Sequence, residues 1–203
     1  MKTTFKQYLL EAEVKMPRAK SQKDLIASIE NGYFTLDGSK LIVGGDFDCY
    51  DNQLLSLEGC PQIVRGSFHC WDNQLKSLEG CPQTVGGSFY CYNNELESLK
   101  GCPQIVGGYF NCNDNHLTSL ESIHMHVHEI RGVAYFTENP IKSHVLGLLK
   151  IKGLQAVSLD NDEVQKIMNK YLRGTTGKDP SIRDIVDCQE ELMDNDLEDY
   201  ALL

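Results

Sequence analysis

From residue 43 to about residue 120 the chain repeats one pattern of apolar and polar positions every 21 residues. Phe47, Phe68, Phe89 and Phe110 hold the first place in it, and Cys49, Cys70, Cys91 and Cys112 the second, two residues on. Asn52, Asn73, Asn94 and Asn115 follow, then Leu54, Leu75, Leu96 and Leu117. The Phe-x-Cys alternation predicts a short strand with one face turned inward. The Asn stands where the chain leaves that strand. Its amide can satisfy backbone groups of its own bend and of the neighbouring bend, so the asparagines predict a ladder. Gly59-Cys60-Pro61 and its copies at 80–82 and 101–103 close each unit with a turn, because Pro cannot extend a central strand. One unit is too small to bury a core, so stacking must supply the stability.

The register runs beyond the four clear copies. Leu36–Val43 aligns with Leu99–Val106, a partial unit at the start. Downstream, Ile130, Ala134, Phe136, Asn139 and Ile141 keep the places, and Leu154, Val157, Leu159 and Asp162 follow at leucine-repeat spacing. Residues 141–151, with Val145, Leu146, Leu148 and Leu149, read as a helix. About six parallel strands result, the last two joined by that helix.

Helical spacing marks both ends. Ser21 and Asp24 open a helix with Leu25, Ile26 and Ile29, stopped at Asn31-Gly32. Val164, Ile167, Met168, Tyr171 and Leu172 predict another. A last one starts near Pro180 with Ile182, Ile185, Val186, Gln189 and Met193 on its inner face. The division is an N-terminal segment over 1–20, a helical cap over 21–33, a solenoid over 34–162, and a cap with an acidic tail over 163–203.

The spacing F-x-C-x-x-N-x-L is similar to the L-x-L-x-x-N-x-L part of the leucine-rich repeat, with Phe and Cys in two Leu places. The chain resembles leucine-rich-repeat proteins of bacteria and tailed phages, above all the phage variety built on SLEGCPQxVGGxFxCxxNxL. That resemblance implies an α/β solenoid, a parallel strand ladder with helical caps at both ends, acting as a protein-interaction scaffold. Separately, MKTTFKQYLLEA resembles the capsid-targeting leader of internal head proteins from large contractile-tailed phages, with one Thr more than their Met-Lys-Thr start. That resemblance implies cutting between Glu11 and Ala12, packaging with the DNA, and, as in some such proteins, action against host defences. Read without it, the segment is an amphipathic helix with Phe5, Tyr8, Leu9 and Val14 on its inner side.

If Phe and Cys face inward, the residues between and after them line the exposed, concave face. Asp46, Ser67, Ser88 and Tyr109 precede the Phe; Asp48, His69, Tyr90 and Asn111 separate Phe from Cys. Tyr50, Trp71, Tyr92 and Asn113 come next, followed by Asp51, Asp72, Asn93 and Asp114. Trp and Tyr dominate binding hot spots, because they bury large area with few rotors to freeze. The expected partner-binding set is Asp48, Tyr50, His69, Trp71, Tyr90, Tyr92, Tyr109 and Asn111. Such rings also stack on one another in strands, which is the plainer explanation. The acidic rim calls for a partner with a basic patch.

Composition narrows the function. A net charge of −10 argues against general nucleic-acid binding, and no apolar run approaches a membrane span. The eight cysteines include no C-x-x-C pair, so packing as reduced thiols is expected rather than zinc or disulfides, with Cys188 a small hydrophobe on a helix. Asp46, Asp48, Asp51 and Asp72 could cluster for Ca²⁺, but lack calcium-loop spacing. On a strand His124, His126 and His128 would share one face, where Zn²⁺ or Ni²⁺ could bind, but an insertion between repeats is the expected place for them. No cofactor motif or catalytic set stands out. Some bacterial effectors join such repeats to a ubiquitin-ligase domain, but the roughly 40 residues after the solenoid are too few for one. The expectation is a non-enzymatic protein of the host bacterial cytoplasm, carried in the virion if the leader operates. It would bind or inhibit a host protein; the alternative is a structural or internal head protein without a host target.

Overall fold

The computed structural model describes residues 34–37 and 40–203. The N-terminal segment, the Glu11–Ala12 junction and the 21–33 cap lie outside the described residues.

Each repeat contributes two short strands, one to each of two sheets. The first sheet holds β1 (Phe34–Asp37), β2 (Lys40–Val43), β4 (Ile63–Val64), β6 (Thr84–Val85), β8 (Ile105–Val106) and β10 (Glu129–Ile130), in that order. The second holds β3 (Phe47–Asp48), β5 (Phe68–His69), β7 (Phe89–Tyr90), β9 (Phe110–Asn111), β11 (Val133–Tyr135) and β12 (Ala156–Ser158). Neighbours pair in parallel and in repeat register, Phe47 with Phe68, Phe68 with Phe89, Phe89 with Phe110. The molecule is therefore a β-solenoid of about six turns, as the periodicity predicts for the second sheet.

The first sheet is the unforeseen element. Its strands are two residues long, such as Ile63–Val64 before the glycine pair, and two residues carry no readable alternation. At its start, Val43 pairs with Val64 as the partial repeat predicts. Leu36 departs from the alignment: β1 runs antiparallel to β2, with Leu36 opposite Leu41.

The core lies between the sheets. Phe68, Phe89, Phe110 and Phe136 are fully buried, with successive ring centroids 5.8, 5.4 and 5.8 Å apart. Val64, Val85, Val106 and Ile130 meet them from the first sheet, and Leu75, Leu96 and Leu117 from the bends. Cys49, Cys70, Cys91 and Cys112 are buried as expected; of the turn cysteines, Cys81 and Cys102 are buried and Cys60 is half-buried. The turn glycines have a steric cause. Gly80 has φ of 89°, and a Cβ there would lie 2.7 Å from the backbone of Leu57.

The asparagines form the predicted ladder, now with its bonds. The Asn94 amide nitrogen donates to the carbonyls of Cys91 (3.1 Å) and Tyr92 (3.3 Å) in its own bend, and of Cys70 (3.1 Å) one turn earlier. Its oxygen accepts from the Leu75 N–H at 3.1 Å. Asn73, Asn115 and Asn139 repeat this, each serving its own unit and the one before. A third column does similar work in the strands: the Asp46 carboxylate accepts from Ser67 N–H, the Ser67 hydroxyl from Ser88 N–H, and the Ser88 hydroxyl from Tyr109 N–H.

The C-terminal end covers the last strand. A 3-10 helix, Leu146–Lys150, joins β11 to β12 where a helix is expected. Helix α1 (Ile123–His126) sits earlier, between β9 and β10. Beyond β12 come α2 (Asp162–Tyr171), α3 (Arg173–Thr176) and α4 (Ile182–Asp194). An open strand edge leaves N–H and C=O groups without partners. The Asn169 side chain of α2 pairs both groups of Val157, accepting at 2.7 Å and donating at 2.8 Å, and Gln165 accepts from Leu159 N–H at 2.9 Å. The inner face of α4 differs from the sequence expectation. Cys188 and Leu192 are buried and Ile185 is partly buried, whereas Ile182, Val186 and Met193 are 84%, 43% and 51% exposed. The reason is the Cys188 thiol, seated 3.8 Å from the Met168 sulfur, and the Glu191 carboxylate, which accepts from Tyr171 and Lys170 at 2.6 Å each; these rotate the helix.

The buried ladder and its exposed beginning should respond differently to truncation. Asn94→Ala orphans buried backbone groups in two units and should cost at least about 3 kcal/mol. Among the described residues the side-chain amide of exposed Asn52 donates only to the Tyr50 carbonyl within its own bend, so Asn52→Ala should cost about 1 kcal/mol or less. Urea unfolding followed by circular dichroism checks both; equal losses would show that the ladder does not carry the stack.

Candidate functional site

The outer face of the second sheet presents the sequence-predicted residues in three columns. Because each Cys side chain points inward, the residue after it emerges at the outer surface. Tyr50 and Trp71 stack with centroids 4.1 Å apart and planes within 6°, and Trp71 and Tyr92 at 5.3 Å with the same tilt. The next column holds Asp48, His69, Tyr90 and Asn111, and His69 stacks on Tyr90 at 4.9 Å. All seven are half-buried. Tyr109 stands in the third column, 47% exposed, its ring edge-on to Tyr135 at 5.9 Å. The structure thus brings the predicted set onto one face, and it also makes the aromatic rings stack.

Local backbone chemistry explains part of the acidic character. Asp51, Asp72, Asn93 and Asp114 have φ between 51° and 53°, the left-handed region that Asp and Asn tolerate best. Asp46 is a ladder acceptor. These acids have a structural cause before any functional one. Glu138 takes the same left-handed position in the fifth unit, at φ of 57°, where its residue type is not favoured.

The aromatic column stops at Tyr92. Its next member is Asn113, a short side chain whose oxygen accepts from Thr137 N–H at 2.9 Å. Above it lies a depression of about 530 Å³ bordered by Trp71 and Tyr92, by Asn111 and Asn113, and by Asp72, Asp114 and Glu138. Sequence reasoning left Asn113, Asp114 and Glu138 out of the site. The signal was available in the column arithmetic: Asn139 keeps the Asn place, so Glu138 falls in the column of Asp114, but the columns were read over the four clear units alone.

Electrostatics agree with the geometry. Partial burial raises the Tyr92 phenol above the ordinary tyrosine value, and the nearby Asp72 carboxylate and Tyr90 add to it. The Cys188 thiol is pushed up to about 12 by burial and then by Glu191, and burial likewise takes Cys102 up to about 12. These thiols stay protonated at neutral pH, which suits packing and not nucleophilic attack.

The histidine run does not lie on a strand. His124 and His126 belong to α1, where residues two apart point to different sides, and His128 follows it. Burial and the Lys150 charge lower the His124 pKa, and its Nδ1 is buried without a hydrogen-bond partner. Among the described residues no group of three or more His, Cys, Asp or Glu side chains is arranged to hold a metal ion, and no helix is long and apolar enough to cross a membrane.

Compared with known proteins, the chain matches no family model, no curated protein and no solved structure.

Phenolate absorbance tests the local field. Tyr92 should ionise above an ordinary tyrosine, and Asp72→Asn should bring its midpoint down while leaving Tyr171 unchanged. Because the folded-state value is the raised one, Tyr92 contributes stability below the ordinary tyrosine value, lost as pH climbs through the raised one. An unmoved Tyr92 midpoint in the variant would mean that Asp72 does not face the ring.

Proposed function

We propose that the protein is a non-enzymatic binding scaffold, of tailed-phage type, that engages a host bacterial protein on the outer face of its second sheet. The observation that carries this reading is the column Tyr50–Trp71–Tyr92, accessible on a face whose strands the core phenylalanines and the asparagine ladder already hold together. A stack needed only for stability could be built from β-branched residues, as elsewhere in the molecule. Flat aromatic area beside carboxylates is the composition of a hot spot for a basic partner.

The phage assignment rests on the resemblance of the SLEGCPQxVGG repeat and of the MKTTFKQYLLEA start. It places action in the host cytoplasm after delivery from the virion, with inhibition of a defence protein as the consequence of binding. No chemistry is required of the scaffold for that, and it acts by occupying a surface.

Tagged full-length protein should retain a defined bacterial protein from lysate, identified by mass spectrometry. The Tyr50/Trp71/Tyr92→Ala triple variant, folded by circular dichroism, should bind that protein at least about thirtyfold more weakly, the loss expected of one hot spot or more. Equal retention by the variant would remove this face as the binding surface.

A further inference from the structure

The face has one position shaped for a particular chemical group. The rings of Tyr50, Trp71 and Tyr92 form a continuous stack, 4.1 and 5.3 Å between centroids. One face of Tyr92 lies against Trp71, and a depression of about 530 Å³ bordered by both rings extends to Asn113, the next position of the column. The place where a fourth ring would stand is a slot. A planar group seated over Asn113 would continue the stack beside Tyr92.

Charge decides which planar group. Asp72, Asp114 and Glu138 border the slot, and among the described residues no Lys or Arg does. Asp72 already accepts a hydrogen bond from the Asn93 amide, which leaves Asp114 and Glu138 as the bordering carboxylates for a guest to pair with. A nucleotide would bring phosphates toward three acids on a chain of net charge −10. A neutral sugar would stack but leave the charge uncompensated. A guanidinium is flat, stacks on aromatic faces, carries a positive charge and offers a fork of N–H donors to carboxylates. An ammonium shares the charge but cannot continue the stack.

We infer that the slot beyond Tyr92 is a guanidinium site, filled by an arginine side chain of the protein partner and held by Tyr92 stacking with Asp114 and Glu138 pairing. The assignment rests on the reading of this face as a partner-binding surface and names the group that the surface recognises. Glu138, in a left-handed position that favours Asn or Asp, has its place explained by this role.

The full-length protein titrated with N-acetyl-L-argininamide tests the site, read by the fluorescence of Trp71 and by backbone amide shifts at fixed ionic strength. The chain has a single Trp, so the signal reports on this face alone. Saturable shifts at residues 92, 111–114 and 138 are expected, with N-acetyl-L-lysinamide several-fold weaker. Asp114→Asn combined with Glu138→Gln should weaken arginine roughly three- to tenfold; Asn is at home in the left-handed position, so the fold is kept. Asn113→Tyr should extend the stack into the slot and abolish binding. Absence of saturable shifts, or equal binding of lysine and arginine, would overturn the site. If arginine fails while the aromatic triple variant still loses its captured protein, the surface stands and the guanidinium slot falls. If arginine binds while that variant captures as before, the slot takes a guanidinium but not the captured protein's, and both the macromolecular surface and the partner arginine fall.

Discussion

A solenoid unit of 21 residues has to pass on its fold to the next unit, and here one side chain does so. The asparagine that ends each strand satisfies carbonyls in its own bend and in the bend before, and accepts the N–H of the preceding leucine. Left unmet inside the stack, each of those groups would cost about 1–3 kcal/mol. The ladder therefore couples neighbours, fixes their register, and keeps the phenylalanines over one another at 5.4–5.8 Å. At the last strand, where no further unit follows in the second sheet, Asn169 and Gln165 of α2 supply the same kind of bonds from a helix.

With the stack held from inside, the outer face has two kinds of residue. Some answer to the backbone: Asp46, Ser67 and Ser88 accept the N–H of the next strand, and Asp51, Asp72, Asn93 and Asp114 suit a left-handed bend. Others carry the rings and the further charge of the outward columns, the Tyr50–Trp71–Tyr92 stack, the His69–Tyr90 pair and Glu138, and the proposed function is placed there. The end of the column at Asn113 gives the face a concave, acidic position.

Much of this was legible in the sequence because a repeat prints its own register. The strands of the second sheet, the ladder asparagines, the buried cysteines and the columns of outward residues follow from counting. The first sheet did not, since Ile63–Val64 and its copies are too short to show alternation. Helix α4 was turned the wrong way because apolar spacing alone made Ile182, Val186 and Met193 an inner face. The Cys188–Met168 contact and the Glu191 bonds, both tertiary, chose another side. The histidine run falls where an insertion between repeats was expected, on a single helical turn between β9 and β10, and the shared face that alternation would give it on a strand does not form. Glu138 was missed because the outward columns were read over the four clear units alone, although Asn139 keeps the register and Glu138 stands one place before it.

If each unit is a self-consistent increment, removing one should leave the rest in register. Deletion of residues 86–106 joins Val85 to Gly107 and restores the Val-Gly-Gly corner of the repeat. Thermal unfolding by circular dichroism should show a folded β-rich chain with a single cooperative transition at a lower midpoint than the parent. Loss of the β signal, or a broad non-cooperative melt, would contradict the account of a stack propagated unit by unit through the asparagine ladder.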